Sequence, residues 1–177
     1  SDARALIPRP ETEQLVERAL TYKNLSNILD VATGSGVIPL TLALERPEAN
    51  VTATDISPEA LSLARENADL LQVERITFLE ADLIPPDLSA SGPFDLITSN
   101  LPYIPSGDIA GLSREVRHDP LLALDGGAEG LDLIIRLAPL AADLLAPEGH
   151  LLLEIGIDQS EQVIACLSGY NYRDIIA

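Results

Sequence analysis

The residues in this chain best suited to chemistry are Ser99-Asn100-Leu101-Pro102-Tyr103, which follow a short apolar run. A planar nitrogen, as in a carboxamide or an adenine, has its lone pair delocalised and attacks poorly. Two acceptors placed on its N–H bonds aim it and help it react. The side-chain oxygen of Asn100 and the backbone carbonyl of Leu101 are suited to that pair of roles. Pro102 keeps Leu101 out of the helical region, so its carbonyl is aimed in advance. Tyr103 adds a flat apolar face with a polar tip. These four residues, Asn100, Leu101, Pro102 and Tyr103, are the expected catalytic set.

The upstream residues suit a nucleotide-like cofactor. Asp30-Val31-Ala32-Thr33-Gly34-Ser35-Gly36 combines an acid with two glycines, allowing a sharp turn and a close ligand approach. A dinucleotide loop would carry a third glycine where Pro39 stands. Asp55 ends a second apolar run, where a carboxylate accepts from both ribose hydroxyls, an arrangement shared by NAD and S-adenosylmethionine sites. Farther on, Asp82 could accept from an adenine amino group while Leu83 packs on the ring. The expected cofactor-binding residues are therefore Ala32, Thr33, Gly34, Ser35, Gly36, Asp55, Asp82 and Leu83. A sulfonium methyl donor is already strongly activated, so positioning supplies most of the rate and no metal is needed. His118 and His150 are isolated, with no metal-ligand spacing, and are expected in structural or surface roles.

Short apolar runs alternating with helical patterns must position these groups. Strands are predicted over residues 27–32, 50–55, 75–79, 94–99 and 150–155. Helices are predicted over 37–45, 57–71, 131–145 and 158–167, with a short run at 170–175 closing the chain. Ser57-Pro58 places a serine at the cap and a proline at the first helical position. Pro10-Glu11 either starts a helix through Leu20 or, with Arg9, Thr12 and Glu13, folds over the cofactor. Gly126 to Gly130 reads as a turn before a helix. Strands apolar throughout and separated by helices predict a doubly wound α/β fold with a mostly parallel sheet. Ligands in such folds bind beyond the carboxyl ends of the strands.

Composition narrows the partners. The 177 residues fit one domain, 46% are hydrophobic, and only 3% are aromatic, so Leu, Ile, Val and Ala must build the core. The 28 acidic residues against 11 basic ones give a net charge of −17, which argues against direct nucleic-acid binding. No apolar run reaches the roughly 18 residues that span a bilayer. The single cysteine, Cys166, rules out an internal disulfide framework and fits a cytoplasmic protein.

The Asn-Leu-Pro-Tyr run behind the Asp-x-x-x-Gly-x-Gly loop resembles the amino-methyltransferases of the Rossmann-like class. Ile7-Pro8-Arg9-Pro10-Glu11-Thr12-Glu13 resembles, more narrowly, the loop before the cofactor domain of the release-factor glutamine methyltransferases, the HemK/PrmC family. Glu115-Val116-Arg117-His118-Asp119-Pro120, the Gly126-Gly127-x-x-Gly130-Leu131 run and Leu152-Leu153-Glu154-Ile155-Gly156 are similar as well. The resemblance implies a class I S-adenosylmethionine methyltransferase fold. It implies S-adenosyl-L-methionine as cofactor, S-adenosyl-L-homocysteine as product, and a peptide-chain release factor as partner. The glutamine of a Gly-Gly-Gln motif would receive the methyl group. Contacts to the cofactor would come from Thr33, Gly34, Asp55, Leu83 and Asn100, and to the substrate from residues 100 through 103.

The chain departs from that pattern in three respects. Ala32 replaces the first loop glycine, and Leu101 stands where the glutamine enzymes have proline and ribosomal RNA adenine dimethyltransferases have leucine. Residues 1–177 are read as the methyltransferase domain alone, without an N-terminal helical domain and with the C-terminal strand truncated. Two other readings remain: an adenine N6-methyltransferase, and a cofactor-binding fragment without turnover.

Overall fold

The computed structural model describes residues 2–88, 92–114 and 116–177, leaving out the side chain of Arg117; Glu115 of the Glu115–Pro120 motif therefore lies outside the described residues. Five strands form one parallel sheet: β1 (Asn27–Val31), β2 (Asn50–Asp55), β3 (Ile76–Glu80), β4 (Phe94–Ser99) and β5 (Leu145–Leu153). Their order is β3-β2-β1-β4-β5. The helices are α1 (Pro10–Thr21), α2 (Val37–Glu45), α3 (Pro58–Leu71), α4 (Asp132–Leu144) and α5 (Ser160–Ser168).

Alternating side chains of the central strands enter two cores. Ile28, Val51 and Leu96 pack with Leu15, Ala19 and Leu42 of α1 and α2. Leu29, Val31 and Ile97 face the other way, onto Ile134, Leu137 and Ala141 of α4 and onto Val163 and Leu167 of α5. Burial on both faces is why these strands lack a polar alternation. Truncating a fully buried leucine such as Leu96 to alanine should cost about 2–5 kcal/mol.

α3 begins as the sequence predicts, with the Ser57 hydroxyl accepting from the Ala60 N–H and proline in the first turn. α1 also starts at its proline, Pro10. The predicted fifth strand needs correcting. α4 runs directly into β5, which begins at Leu145 rather than 150 and ends at Leu153 rather than 155. Leu145 pairs with Phe94, the register shifts, and His150 pairs with Leu96, so the Pro147-Glu148-Gly149 turn signal is a bulge within one strand. A Cβ on Gly149 would come within 2.9 Å of the Phe94 carbonyl, so only glycine lets the chain return so close. Residues 170–175 form no strand; the Tyr172 hydroxyl instead donates to the Ala138 carbonyl at 2.8 Å. Among the described residues, no helix is long and apolar enough to cross a membrane.

Candidate active site

The sheet changes its direction of winding between β1 and β4. That opens a crevice at their carboxyl ends. Thr54, Val31, Ser99 and Leu153 sit level across four strands, so the next residues, Asp55, Ala32, Asn100 and Glu154, form one row along that edge. A cavity of about 330 Å³ opens there. Of the residues singled out from sequence, Ala32, Thr33, Gly34, Ser35, Asp55, Asp82, Leu83, Asn100, Leu101 and Pro102 line it. Gly36 and Tyr103 stand back from it.

Each wall has a local cause. Gly34 and Gly36 adopt left-handed backbone with φ of 56° and 82°. A Cβ on Gly36 would press on Leu40 and Ala64 at 3.0 and 3.1 Å, so this glycine serves the packing of α2 on α3. Ala32 takes φ of 59°, a region that costs a side-chain-bearing residue roughly 1 kcal/mol or more. Leu83 is likewise left-handed, at 65°, and the buried Thr54 hydroxyl holds its carbonyl at 2.7 Å.

Asp55 is fixed at both oxygens, one accepting from the Gly34 N–H at 2.8 Å and the other from the Ser57 N–H at 2.9 Å. Burial pushes its carboxyl above the usual range, and those N–H bonds oppose the shift. Each oxygen keeps a further lone pair. Asp82 is half exposed and pairs with Arg136 at 2.6 Å. Asp30 lies behind the loop, wholly buried, with one oxygen accepting from Thr98 at 2.6 Å; its other oxygen and the Thr33 hydroxyl have no hydrogen bond among the described residues.

The N-terminal segment roofs the cavity and α1 starts at Pro10, as the first reading of this stretch had it; of Arg9, Thr12 and Glu13, only Thr12 lines the cavity. Arg4, Ala5, Leu6, Pro8 and Thr12 line the cavity, and Ala5 packs against Ala60 and Leu63. Arg9 pairs with the buried Asp119 at 2.7 Å, joining the two motifs that flank the domain's centre.

Leu101 is buried, and no N–H or O–H among the described residues donates to its carbonyl. The loop behind it is braced more heavily than a plain turn requires. Gln159 donates to the Tyr103 carbonyl at 2.9 Å and the Gly130 carbonyl at 3.2 Å, and accepts from the Gly156 N–H. A Cβ on Gly126 would meet the Pro102 carbonyl at 2.6 Å, so the Gly126–Gly130 turn also backs the loop after β4. Sequence reasoning missed Gln159, whose role is wholly tertiary. It treated Glu154 only as part of a motif, although an acid directly after an apolar strand was a usable signal; that it stands level with Asn100 emerges only from the strand register. Thr12 donates to Glu154 at 2.8 Å, Asn100 donates to Thr12 at 3.2 Å, and the Tyr103 hydroxyl donates to Glu154 at 3.3 Å. Burial first, and then Glu154, raises the Tyr103 phenol.

His150 stacks on Tyr22 with ring centroids 3.7 Å apart, and His118 is exposed. Cys166 lies part-buried on α5. Among the described residues, no group of three or more His, Cys, Asp or Glu side chains is arranged to hold a metal ion.

The fold is that of a Rossmann-like methyltransferase, and a family model described as "Methyltransferase domain" matches residues 23–154; the chain belongs to that family. It is 52% identical over 158 residues to a release factor glutamine methyltransferase of Deinococcus radiodurans, covering 88% of this chain and 55% of that protein. A protein of the same name from Moorella thermoacetica is 47% identical over 162 residues, covering 89% and 56%. These relatives bear out the resemblance to release-factor glutamine methyltransferases read from the motifs. The chain spans about half the length of the curated relatives it matches. Among solved structures, the ribosomal protein L11 methylase of Lactobacillus delbrueckii subsp. bulgaricus shares the fold, with a TM-score of 0.67 and 24% identity, over 94% of this chain and 72% of that one.

Proposed function

We propose that this domain transfers a methyl group from S-adenosylmethionine to the side-chain nitrogen of a glutamine, in the Gly-Gly-Gln motif of a cytoplasmic peptide-chain release factor. The observation that carries this reading is the convergence on one cavity of Asp55, the Gly34 loop, Asn100 and Leu101, whose carbonyl has no donor among the described residues.

The residues fit the cofactor by their chemistry. Asp55 is held by two backbone N–H groups with lone pairs left for a vicinal diol. Leu83 and the half-exposed Ile56 offer apolar surface for a purine, and Asp82 an acceptor for its amino group. Gly34, in the cavity wall, has no Cβ to crowd the methionine end. When bound, S-adenosylmethionine would supply an activated sulfonium methyl, the C–S electron pair remaining on sulfur and one N–H proton of the acceptor going to solvent.

The protein's part is placement. Asn100 Oδ1 and the Leu101 carbonyl accept the two N–H bonds of the carboxamide and present its nitrogen in line with the methyl. Leucine replaces proline at position 101 without loss of this role, because the residue acts through its carbonyl, and Pro102 still restricts its backbone. Tyr103, Gln159 and Gly126 hold the loop in that form.

The test offers labelled cofactor with three acceptors: a release factor, the same factor with its Gly-Gly-Gln glutamine replaced by alanine, and an adenine-containing RNA. Label in the first alone supports the reading. Label in RNA alone overturns it in favour of an adenine enzyme, consistent with leucine at 101.

A further inference from the structure

Thr12, Asn100, Tyr103 and Glu154 come from α1, the loop after β4, and the end of β5, yet form one continuous chain of hydrogen bonds. We propose that Thr12 and Glu154 are positioning residues that set the orientation of the Asn100 amide, so that its oxygen and not its NH2 meets the reacting nitrogen. The proposal rests on the reading of Asn100 as the acceptor for a substrate carboxamide.

The two ends of an asparagine amide are nearly the same size, so shape alone does not choose between them. The neighbours must choose, and only one assignment satisfies them all. A carboxylate accepts and has no proton to give. Thr12, itself buried, has one hydroxyl proton, and that proton goes to Glu154 Oε2 at 2.8 Å. Only lone pairs of Thr12 Oγ1 remain for Asn100, so the group facing it must be a donor. Asn100 Nδ2 occupies that place at 3.2 Å. Its Oδ1, free of hydrogen bonds among the described residues, is left for a ligand. The inverted amide would set oxygen against oxygen at Thr12 and offer NH2 to a substrate NH2, losing both contacts.

Glu154 can play this part because the sheet fixes it. Its N–H donates to the Ser99 carbonyl at 3.0 Å, one residue before Asn100 on the neighbouring strand. The Tyr103 hydroxyl occupies Glu154 Oε1, so each carboxylate oxygen is filled by a different hydroxyl. Two of the four proposed catalytic positions, Asn100 and Tyr103, thus depend on one acid that does not line the cavity.

The decisive variants, made in the full-length protein, are Thr12→Val, which keeps shape and removes the hydroxyl, Thr12→Ser, which restores it, and Glu154→Gln. Glutamine can donate to Thr12, freeing the threonine proton to turn toward Asn100 and permitting the inverted amide. Thr12→Val and Glu154→Gln should lower kcat about tenfold or more, with KM for the release factor and affinity for S-adenosylmethionine changed far less. Thr12→Ser should return most of the turnover. Independently of turnover, the Asn100 side-chain amide protons, assigned by nuclear magnetic resonance through their loss in Asn100→Asp, should exchange slowly in the wild type and Thr12→Ser. They should exchange as an open carboxamide does in Thr12→Val. Unchanged kcat in Thr12→Val overturns the proposal. So does a loss that tracks thermal stability and cofactor affinity and that serine does not rescue, or equal exchange in wild type and Thr12→Val. A wild type that methylates no glutamine would overturn the substrate reading alone, leaving the exchange measurement to decide the amide orientation.

Discussion

Gln159 reaches across from the start of α5 to donate to the Tyr103 carbonyl at 2.9 Å, tying α5 to the loop after β4. The same amide accepts from the Gly156 N–H at 2.8 Å and is itself buried. Gln159→Leu keeps the bulk but leaves buried carbonyl and N–H groups unpaired, each costing about 1–3 kcal/mol. The variant should melt at lower temperature and lose turnover through a loosened Asn100–Tyr103 loop. Calorimetry should still find S-adenosylmethionine binding at the Asp55 end, and loss of that binding would show the brace to be global.

Ala32 is the loop residue whose strain can be relieved. It sits at φ 59° where glycine is free, and it replaces the first glycine of the loop pattern. Ala32→Gly removes the Cβ penalty but adds freedom to the unfolded chain, two effects of about 1 kcal/mol each that oppose one another. Left-handed backbone is penalised more than glycine's entropy costs, so the variant should melt slightly higher, by up to a few degrees. A lower melting temperature would mean that the alanine methyl makes packing contacts worth more than the strain.

Asp55 is expected to hold the ribose and its own loop at once. Replacing it with alanine removes acceptors for two hydroxyls and for the Gly34 and Ser57 N–H groups. Charge-assisted hydrogen bonds are each worth about 1.5–3 kcal/mol. Affinity for S-adenosylmethionine should therefore fall at least about tenfold in a calorimetric titration. Equal affinity in the two proteins would take Asp55 out of the site.

The legible parts of this molecule were those fixed by local chemistry. Gly34 and Gly36 take the left-handed turn and Ser57-Pro58 opens α3 as local chemistry dictates, although Gly36 packs against α2 and α3 rather than lining the cavity. Apolar runs announced four of the strands because both faces of the sheet are covered. The bulge at residues 146–149 was hidden because Pro147-Glu148-Gly149 has the composition of a turn, while pairing with Phe94 on β4 makes it part of a strand. Gln159 carried no signal at all: the Gly130 and Tyr103 carbonyls to which it donates lie 29 and 56 residues away, and only the folded chain brings them together. Thr12 and Glu154 stood within motifs, yet their link is a product of strand register, which a single sequence does not state.

Asp30 should make stability depend on pH near neutrality. Burial pushes its carboxyl from 3.8 up to about 7, against the Thr98 hydroxyl that favours the charged form, while the nearby Asp55 charge adds to the rise. The folded protein therefore holds this proton more tightly than the unfolded chain does. The associated stability is fully present below about pH 4 and is lost as pH rises through about 7. At one unit per 1.36 kcal/mol, the loss over that window is on the order of 4 kcal/mol. Asp30→Asn keeps an acceptor for Thr98 and places an NH2 where the unpaired oxygen meets the buried end of the loop. The substitution should flatten the fall in melting temperature between pH 5 and 8 and raise it most at pH 8. A residual slope of the same sign should remain, because burial also raises Asp55. Melting curves of the two proteins at matched pH values check this directly. A gap between them that stays constant from pH 5 to 8 would show that Asp30 does not titrate in that range.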